Sequence, residues 1–582
     1  MLLPARTAAL PTVPPIIPPE VPVCICPAKE MPAPTPEAAA DAAMGGIEII
    51  RRCAALALTF VLLSLSLAGC QKDTPLGKSF RFSLPAEPRQ LDPQVAVDAA
   101  SVVVVSALFE GLTRLDEEGK AVPAAAEWSV SDDGLTYTFH LRKSKWSNGE
   151  LVTADDFVFG MQRAVSPETG SDLSERLFGI QGAREINAGQ LPAEELGVRA
   201  VDDSTLVITL TEADAGFPEK AAGTPFFPCS RQFFESTGGR YGLEAEYLLT
   251  NGPFSLENWA HGQSLRLTKA EGYHEQDDVY PAVVRYIIGG SADPLAALKE
   301  GGLDAAELTP EQAAEARDAG MRVVELEDTI QMLWLNNSVK ALSSAKIRAA
   351  LRDGLEWNAI MEQVDRTVYS PVAGYIAPDA VVEGNEKYRI AANARGFSTN
   401  RAAAVEKLAE GLAEKELKTM PRFTVLCADD AYSQRIALYV IQSWQKNLDV
   451  YAELQPLSAS ELTARVAVGN YQIAISSSMA PGTSAMEALG MYTSTASKGN
   501  WARFSSEEYD ALFTRLQTGG SGREELDQLE EKLMELCPSI PLTFQRRYMG
   551  IPAAVSGLII RPFGGGAYGA PVDFRHAGKS GD

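Results

Sequence analysis

The sequence predicts an α/β protein of more than one domain, and three observations lead there. From Val283 to Ser476, short apolar strands alternate with helix-patterned segments, the order that βαβ units require. Leu135, Tyr137, Phe139 and Leu141 alternate with Thr136, Thr138, His140 and Arg142, a period of two that marks a strand with one buried face. The 582 residues are 46% apolar and 22% charged, ordinary globular usage in a chain long enough for several cores. That composition excludes a largely disordered chain, a collagen-like fibre and a polytopic membrane protein. A formal charge of −24 argues against nucleic acid as a partner. Seven Cys are too few for a disulfide scaffold, and four His leave little for a His-rich metal site.

The N-terminus reads differently. Residues 1–36 hold 11 of the 35 Pro, and Pro lacks the donor that a helix needs. Residues 1–50 are therefore expected to be a disordered extension, with Met44 as a start that would give a more conventional leader. Arg51-Arg52 precede the apolar run Cys53–Leu67, which is followed by Ala68-Gly69-Cys70. A charged region, a short apolar region and small residues describe a secretory signal over 51–69. The run has 15 residues, short of the roughly 18–20 that cross a bilayer. Leu67-Ala68-Gly69-Cys70 resembles a bacterial lipobox, which implies cleavage before Cys70, its lipidation, and an extracytoplasmic protein anchored to the cell membrane by its acyl chains. That leaves Cys229, Cys427 and Cys537, an odd number, so at least one thiol is expected to stay free.

Element by element, Phe80–Leu84 reads as a strand and Ser101–Leu112 as a helix closing at Phe109-Glu110-Gly111. Asp133-Gly134 and Asn148-Gly149 are hairpin-type turns. Thr153, followed by Asp155 and Asp156, starts a helix. Phe254–Trp259 and Leu265–Lys269 form a hairpin. Val283–Ile288 has the continuous apolar run of a buried parallel strand. It leads through Gly289-Gly290-Ser291 and helix Pro294–Glu300 to a strand opening at Leu303-Asp304-Ala305, a βαβ unit. Further units follow: helix Ala402–Leu412, strand Phe423–Cys427, helix Tyr432–Gln445, strand Tyr451–Gln455, helix Ala459–Val468 and strand Tyr471–Ser476.

Leu108-Phe109-Glu110-Gly111-Leu112, Ala126-Glu127-Trp128, Ser131-Asp132-Asp133-Gly134, Tyr137 to Arg142, Lys145-Trp146-Ser147-Asn148-Gly149, Val152 to Phe157 and Arg163 stand at one characteristic spacing. Weaker echoes are Leu91-Asp92-Pro93, Thr250 to Phe254, Leu335-Asn336-Asn337, Ile347 to Leu351 and Ile540-Pro541-Leu542. With these residues the chain resembles the family 5 extracellular solute-binding proteins, the oligopeptide- and dipeptide-binding lipoproteins of bacterial ABC importers. The resemblance implies a two-lobed periplasmic-binding-protein-like fold, type II, of the large peptide-binding class, with an extra α/β subdomain. By analogy lobe I is 71–110, 229–328 and 547–582, the extra subdomain 111–228, and lobe II 329–546, with hinge crossings near Thr329 and Phe544. Trp128, Phe139 and Trp146 are then core and turn residues of the subdomain.

The same resemblance implies a monomer that captures a peptide-like solute, passes it to permease and ATPase subunits, and needs no cofactor, metal or catalytic residue. Ligand-binding candidates carried over by alignment are Val97, Ala99, Leu173, Ser477, Ser478 and Met479; Trp334 and Trp501 join them on chemistry alone. In oligopeptide-binding relatives an Asp after the strand matching Tyr471–Ser476 holds the ligand's α-amino group, because a buried ammonium needs a carboxylate. Here Pro481 stands at that place, so another group supplies the charge or the ligand lacks a free amine. A non-peptide solute, such as a metal chelate or oligosaccharide, is the alternative, and a secreted enzyme using the same cleft a further one. A regulator on this fold would need a helix-turn-helix and no export signal. Ser343-Ser344-Ala345-Lys346 fits a Ser-x-x-Lys motif without its companion elements. Asp155 and Asp156 point about 100° apart on a helix. Gly289-Gly290-Ser291 lacks a nucleotide fingerprint, and His261 and His274 have no metal-ligand neighbours in sequence.

Overall fold

The computed structural model describes residues 79–117, 119–372, 374–382, 387–389, 396–479, 484–496, 499–519, 522–562 and 570–579. The Pro-rich stretch, the leader, Cys70 and Pro481 lie outside them. Among the described residues, no helix is long and apolar enough to cross a membrane.

Three main sheets organise the chain. The first has the spatial order Ser79–Leu84, Val283–Ile288, Ser264–Lys269, Phe254–Ala260. Val283–Ile288 is parallel to Ser79–Leu84 and antiparallel to the hairpin strand Ser264–Lys269, so its apolar run reflects burial in a mixed sheet. The expected βαβ unit is corrected. After helix Pro294–Lys299, Ala305 makes a single parallel bridge to Phe82, and the strand proper, Ala306–Leu308, pairs antiparallel with Ser539–Ile551 in another sheet. The N-terminal strand already fills the edge of Val283–Ile288 that the returning chain would have taken.

The second sheet is antiparallel throughout: Ala126–Val130, Thr136–Leu141, Thr205–Thr209, Val198–Asp202. Its inner face is the alternation seen in the sequence, with Phe139 opposite both Trp128 and Leu206. Helix Ala154–Val165 covers it with Phe157, Met161 and Ala164, a spacing of four and three that puts them on one stripe. Asp156 accepts from the Thr153 main-chain N–H at 2.9 Å and from the Trp146 indole N–H at 3.1 Å. It therefore caps the helix, while Asp155 is exposed.

The third sheet has seven strands, running Ala306–Leu308, Ser539–Ile551, Arg322–Leu335, Ile473–Met479, Phe423–Ala428 and Ala452–Leu457, with Tyr369–Pro371 also on Ser539–Ile551. Phe423–Ala428 is parallel to both of its neighbours, and helices Ala431–Leu448 and Ala459–Val468 make the crossovers, as the alternation predicts. Arg322–Leu335 and Ser539–Ile551 are the longest strands. They pair antiparallel from Arg322 and Ile551 to Trp334 and Ser539, with one bulge at Glu327-Asp328 and another at Leu542, next to Pro541. A strand Pro cannot donate, and a bulge is where a sheet accepts it.

One core is drawn from residues 330–544. Another joins residues 80–305 to residues 551–577, so the chain's end returns to its beginning. Phe574 packs its ring 5.5 Å from both Phe80 and Phe82. A small third core lies where helices Pro294–Lys299 and Pro310–Asp318 meet Tyr548. Cys229, Cys427 and Cys537 are all buried and free.

Candidate ligand-binding site

Two motif segments that are far apart in sequence dock first. Helix Ala99–Leu108 ends at Phe109, and Asn251 clasps the next peptide from both sides. Its Oδ1 accepts from the Glu110 N–H at 3.2 Å, and its Nδ2 donates to the Glu110 carbonyl at 2.9 Å. Beside it Gly252 donates to the Leu108 carbonyl at 2.9 Å. A Cβ on Gly252 would stand 2.7 Å from the Leu108 main chain, so only glycine permits this approach. The Glu110 carboxylate is spent on Tyr273 Oη, His274 Nε2 and Arg114. His274 is thus a buried structural partner, whereas His261 is exposed between Glu87 and Glu244.

The loop after Leu91-Asp92-Pro93 is held by a second network. Arg163, from helix Ala154–Val165, reaches Asp92 Oδ2 at 2.6 Å, Asp92 Oδ1 at 3.2 Å, Gln94 Oε1 at 2.8 Å and Cys229 Sγ at 3.4 Å. Its guanidinium lies 3.8 Å over the Phe234 ring. Against the cost of burial, the Asp92 charge holds Arg163 above its ordinary value. Burial pushes the Cys229 thiol up to about 12, so it sits there neutral. Ser171 donates to the Gln94 carbonyl and accepts from the Leu173 N–H at 3.0 Å. One polar network therefore fixes both the loop carrying Val97 and the turn carrying Leu173. Asp98 then caps helix Ala99–Leu108 by accepting from the Ser101 N–H at 3.0 Å.

These elements enclose a cavity of about 970 Å³, at the upper end of the ~300–1,000 Å³ usual for small-molecule sites. Val97, Ala99 and Leu173 all line it. So does Gly289-Gly290-Ser291, a turn with Gly289 and Gly290 at φ of 75° and 66°. The residues that sequence reasoning missed are Leu326 and Arg547, paired across the two long strands, and Arg561 near the C-terminus. A signal for the first two existed: Glu325-Leu326-Glu327-Asp328 and Arg546-Arg547 are complementary charges on the two segments expected to cross together. Arg547 Nη2 lies 2.6 Å from Asp328 Oδ2 and Arg546 Nε 2.6 Å from Glu327 Oε1.

Among the described side chains, Trp334, Trp501 and Ser477 do not line this cavity. Trp334 is fully buried, donates its indole N–H to Ser476 Oγ at 3.0 Å and meets Trp501 edge-on at 5.2 Å. It packs in the core of the seven-stranded sheet. Ser477 is exposed opposite Gln331, and Ser478 and Met479 stand at the register positions of Ile330 and Thr329. Ser343 donates to the Lys340 carbonyl while Lys346 pairs with Glu410, so the Ser-x-x-Lys residues serve separate structural contacts.

The model of the bacterial extracellular solute-binding proteins, family 5 (middle region), matches residues 120–500. The chain belongs to this family. Among curated proteins, this family 5 chain is 24% identical over 521 residues to the dipeptide-binding protein DppE of Bacillus subtilis (strain 168), covering 86% of this chain and 95% of that one. It is 35% identical over 221 residues to the probable deoxycholate-binding periplasmic protein YgiS of Escherichia coli (strain K12), covering 37% of this chain and 41% of that one. Among solved structures, the substrate-binding domain of an oligopeptide ABC transporter from Bacillus anthracis str. Ames superposes with a TM-score of 0.71 at 26% identity, covering 86% of this chain and 99% of that one. The mixed α/β architecture is accordingly the two-lobed type II binding-protein fold, and members of the family are binding proteins.

Proposed function

We propose that this protein is the substrate-binding lipoprotein of an ABC importer. It captures a peptide-like solute outside the cytoplasm, tethered through Cys70, and delivers it to a membrane permease. The observation that carries the reading is the cavity itself. It is large, mostly apolar, walled by Val97, Ala99 and Leu173, and reached by both long strands through Leu326 and Arg547. The dipeptide- and oligopeptide-binding relatives support a peptide-like solute.

In this reading lobe I comprises 71–110, 229–328 and 547–582, the extra subdomain 111–228 and lobe II 329–546. The bulge at Glu327-Asp328, opposite Arg546, lies where the lobes join and is the natural place for the chain to absorb a change in lobe angle. Closure brings Ser477, Ser478, Met479 and Trp501 from lobe II toward the ligand. Ligand favours the closed form by its differential affinity for it, and no bond in the ligand is made or broken. A second reading, a non-peptide solute, is favoured by the stretch shared with a probable deoxycholate-binding protein. Mass spectrometry of ligand released from protein purified from its native host separates the two: peptides are expected, and recovery of a sterol acid, chelate or sugar alone would overturn the peptide reading.

A further inference from the structure

We propose that the cavity holds a carboxylate subsite at Arg561, and that the ligand is an apolar body bearing an acidic end. The inference rests on the reading of this cavity as the ligand site.

It starts from how the cavity's charges are matched. Arg114 is met by Glu275 at 2.7 Å, Arg547 by Asp328 and Arg575 by Asp573, each of the latter two at 2.6 Å. Arg561 differs. Among the described residues its hydrogen bonds go only to main-chain carbonyls: Nη1 to Ala570 at 3.0 Å, Nη2 to Leu115 at 2.9 Å and to Asp116 at 3.2 Å. Three of five guanidinium hydrogens are thereby used, and the buried Nε–H finds no partner. A buried donor left unmade signals a group short of acceptors. Burial pulls Arg561 below its ordinary value in spite of the nearby charges of Asp573, Asp116 and Glu117, whereas Asp573, hydrogen-bonded to Arg575, holds that neighbour above its own. Arg348 is also clamped by carbonyls, those of Cys537, Leu342 and Leu536. It lies in the other core, away from the cavity, where no ligand charge is at stake.

The acids give the complementary half. Glu110, Glu307 and Asp573 line the cavity; Glu110 is committed to Tyr273 and His274, and Asp573 to Arg575, while Glu307 is exposed on strand Ala306–Leu308 within the field of Arg547. The Arg561 end of the site therefore favours an anion, within walls supplied by apolar residues such as Val97, Ala99, Val103 and Phe254.

The test uses the tetrapeptide Ala-Val-Leu-Phe in free, N-acetylated and C-amidated forms, together with 4-phenylbutyrate and 4-phenylbutyramide, by calorimetry on the intact protein. In the wild type, amidation is expected to weaken binding by at least about tenfold, the scale of a lost charge-assisted bond, whatever acetylation does at the other end. In Arg561→Gln the amidation penalty collapses, and in Arg561→Lys much of it remains. The acid-to-amide ratio is taken within each variant, so a general loss of affinity cancels, and the wild-type ratio alone decides if Arg561→Gln does not fold. Peptide binding that ignores amidation, or an amidation penalty that survives in Arg561→Gln, overturns the subsite and leaves the peptide reading standing. Binding of phenylbutyrate but no peptide, lost in Arg561→Gln, sustains the subsite and overturns the peptide reading. Binding of none of the probes overturns both.

Discussion

Arg163 and Asp92 belong to separate short motifs 71 residues apart, and the structure makes them one buried ion pair. Removing one partner of such a pair strands the other charge away from water. Arg163→Met is therefore expected to destabilise the protein by about 3–5 kcal/mol, read from the urea midpoint, and Asp92→Asn in the same background to recover part of that loss. Asp573 gives a pH signature. It is buried, but Arg575 brings its carboxyl down from 3.8 to about 2. A depressed carboxyl stabilises the fold fully above 3.8, and the contribution is lost as pH falls through about 2. Melting temperature should therefore drop between pH 4 and pH 2, and Asp573→Asn should flatten that part of the profile.

At the scale of elements, the end of helix Ala99–Leu108 and the turn before Phe254–Ala260 dock main chain to main chain. Gly252→Ala would drive a Cβ to 2.7 Å from the Leu108 backbone. A loss of about 1–3 kcal/mol is expected, the usual size of an overpacking penalty, visible as a lower urea midpoint. Asn251→Ala leaves the Glu110 N–H and carbonyl without their partner, at about 1–3 kcal/mol for each buried group. What Asn251 and Gly252 join is main chain, so these contacts build the wall of the site. The elements themselves were legible. Thr136–Leu141, Ala459–Val468 and the Phe254–Ala260 hairpin follow from periodicity and turn residues alone. The strand after helix Pro294–Lys299 was not, because its partner Ser539–Ile551 lies more than 200 residues away.

For the whole molecule, the expected behaviour is binding without turnover. At 100 times Kd, a ligand that binds only the folded state adds about 2.7 kcal/mol, so melting temperature should rise with a matched peptide while mass spectrometry recovers that peptide intact. In the proposed capture mechanism the lobes close about the two long strands, and small-angle scattering should then show a smaller radius of gyration in the bound form. An unchanged radius with tight binding would argue against hinge closure as the capture step.

Local pattern determined a good deal by itself: the α/β class, most strands and helices, and the family, because period, capping and turn chemistry act over a few residues and survive in one dimension. The loop bearing Val97 and the turn bearing Leu173 could be named by resemblance for the same reason. Tertiary structure decided which charges are spent and which are spare. Whether an arginine neutralises a neighbour or awaits a ligand depends on what stands within a few ångströms of it. For Arg561 that meant the carbonyls of Leu115 and Asp116, more than 440 residues earlier in the chain. Burial did the rest, placing Trp334 in the core while Arg547 came to line the cavity.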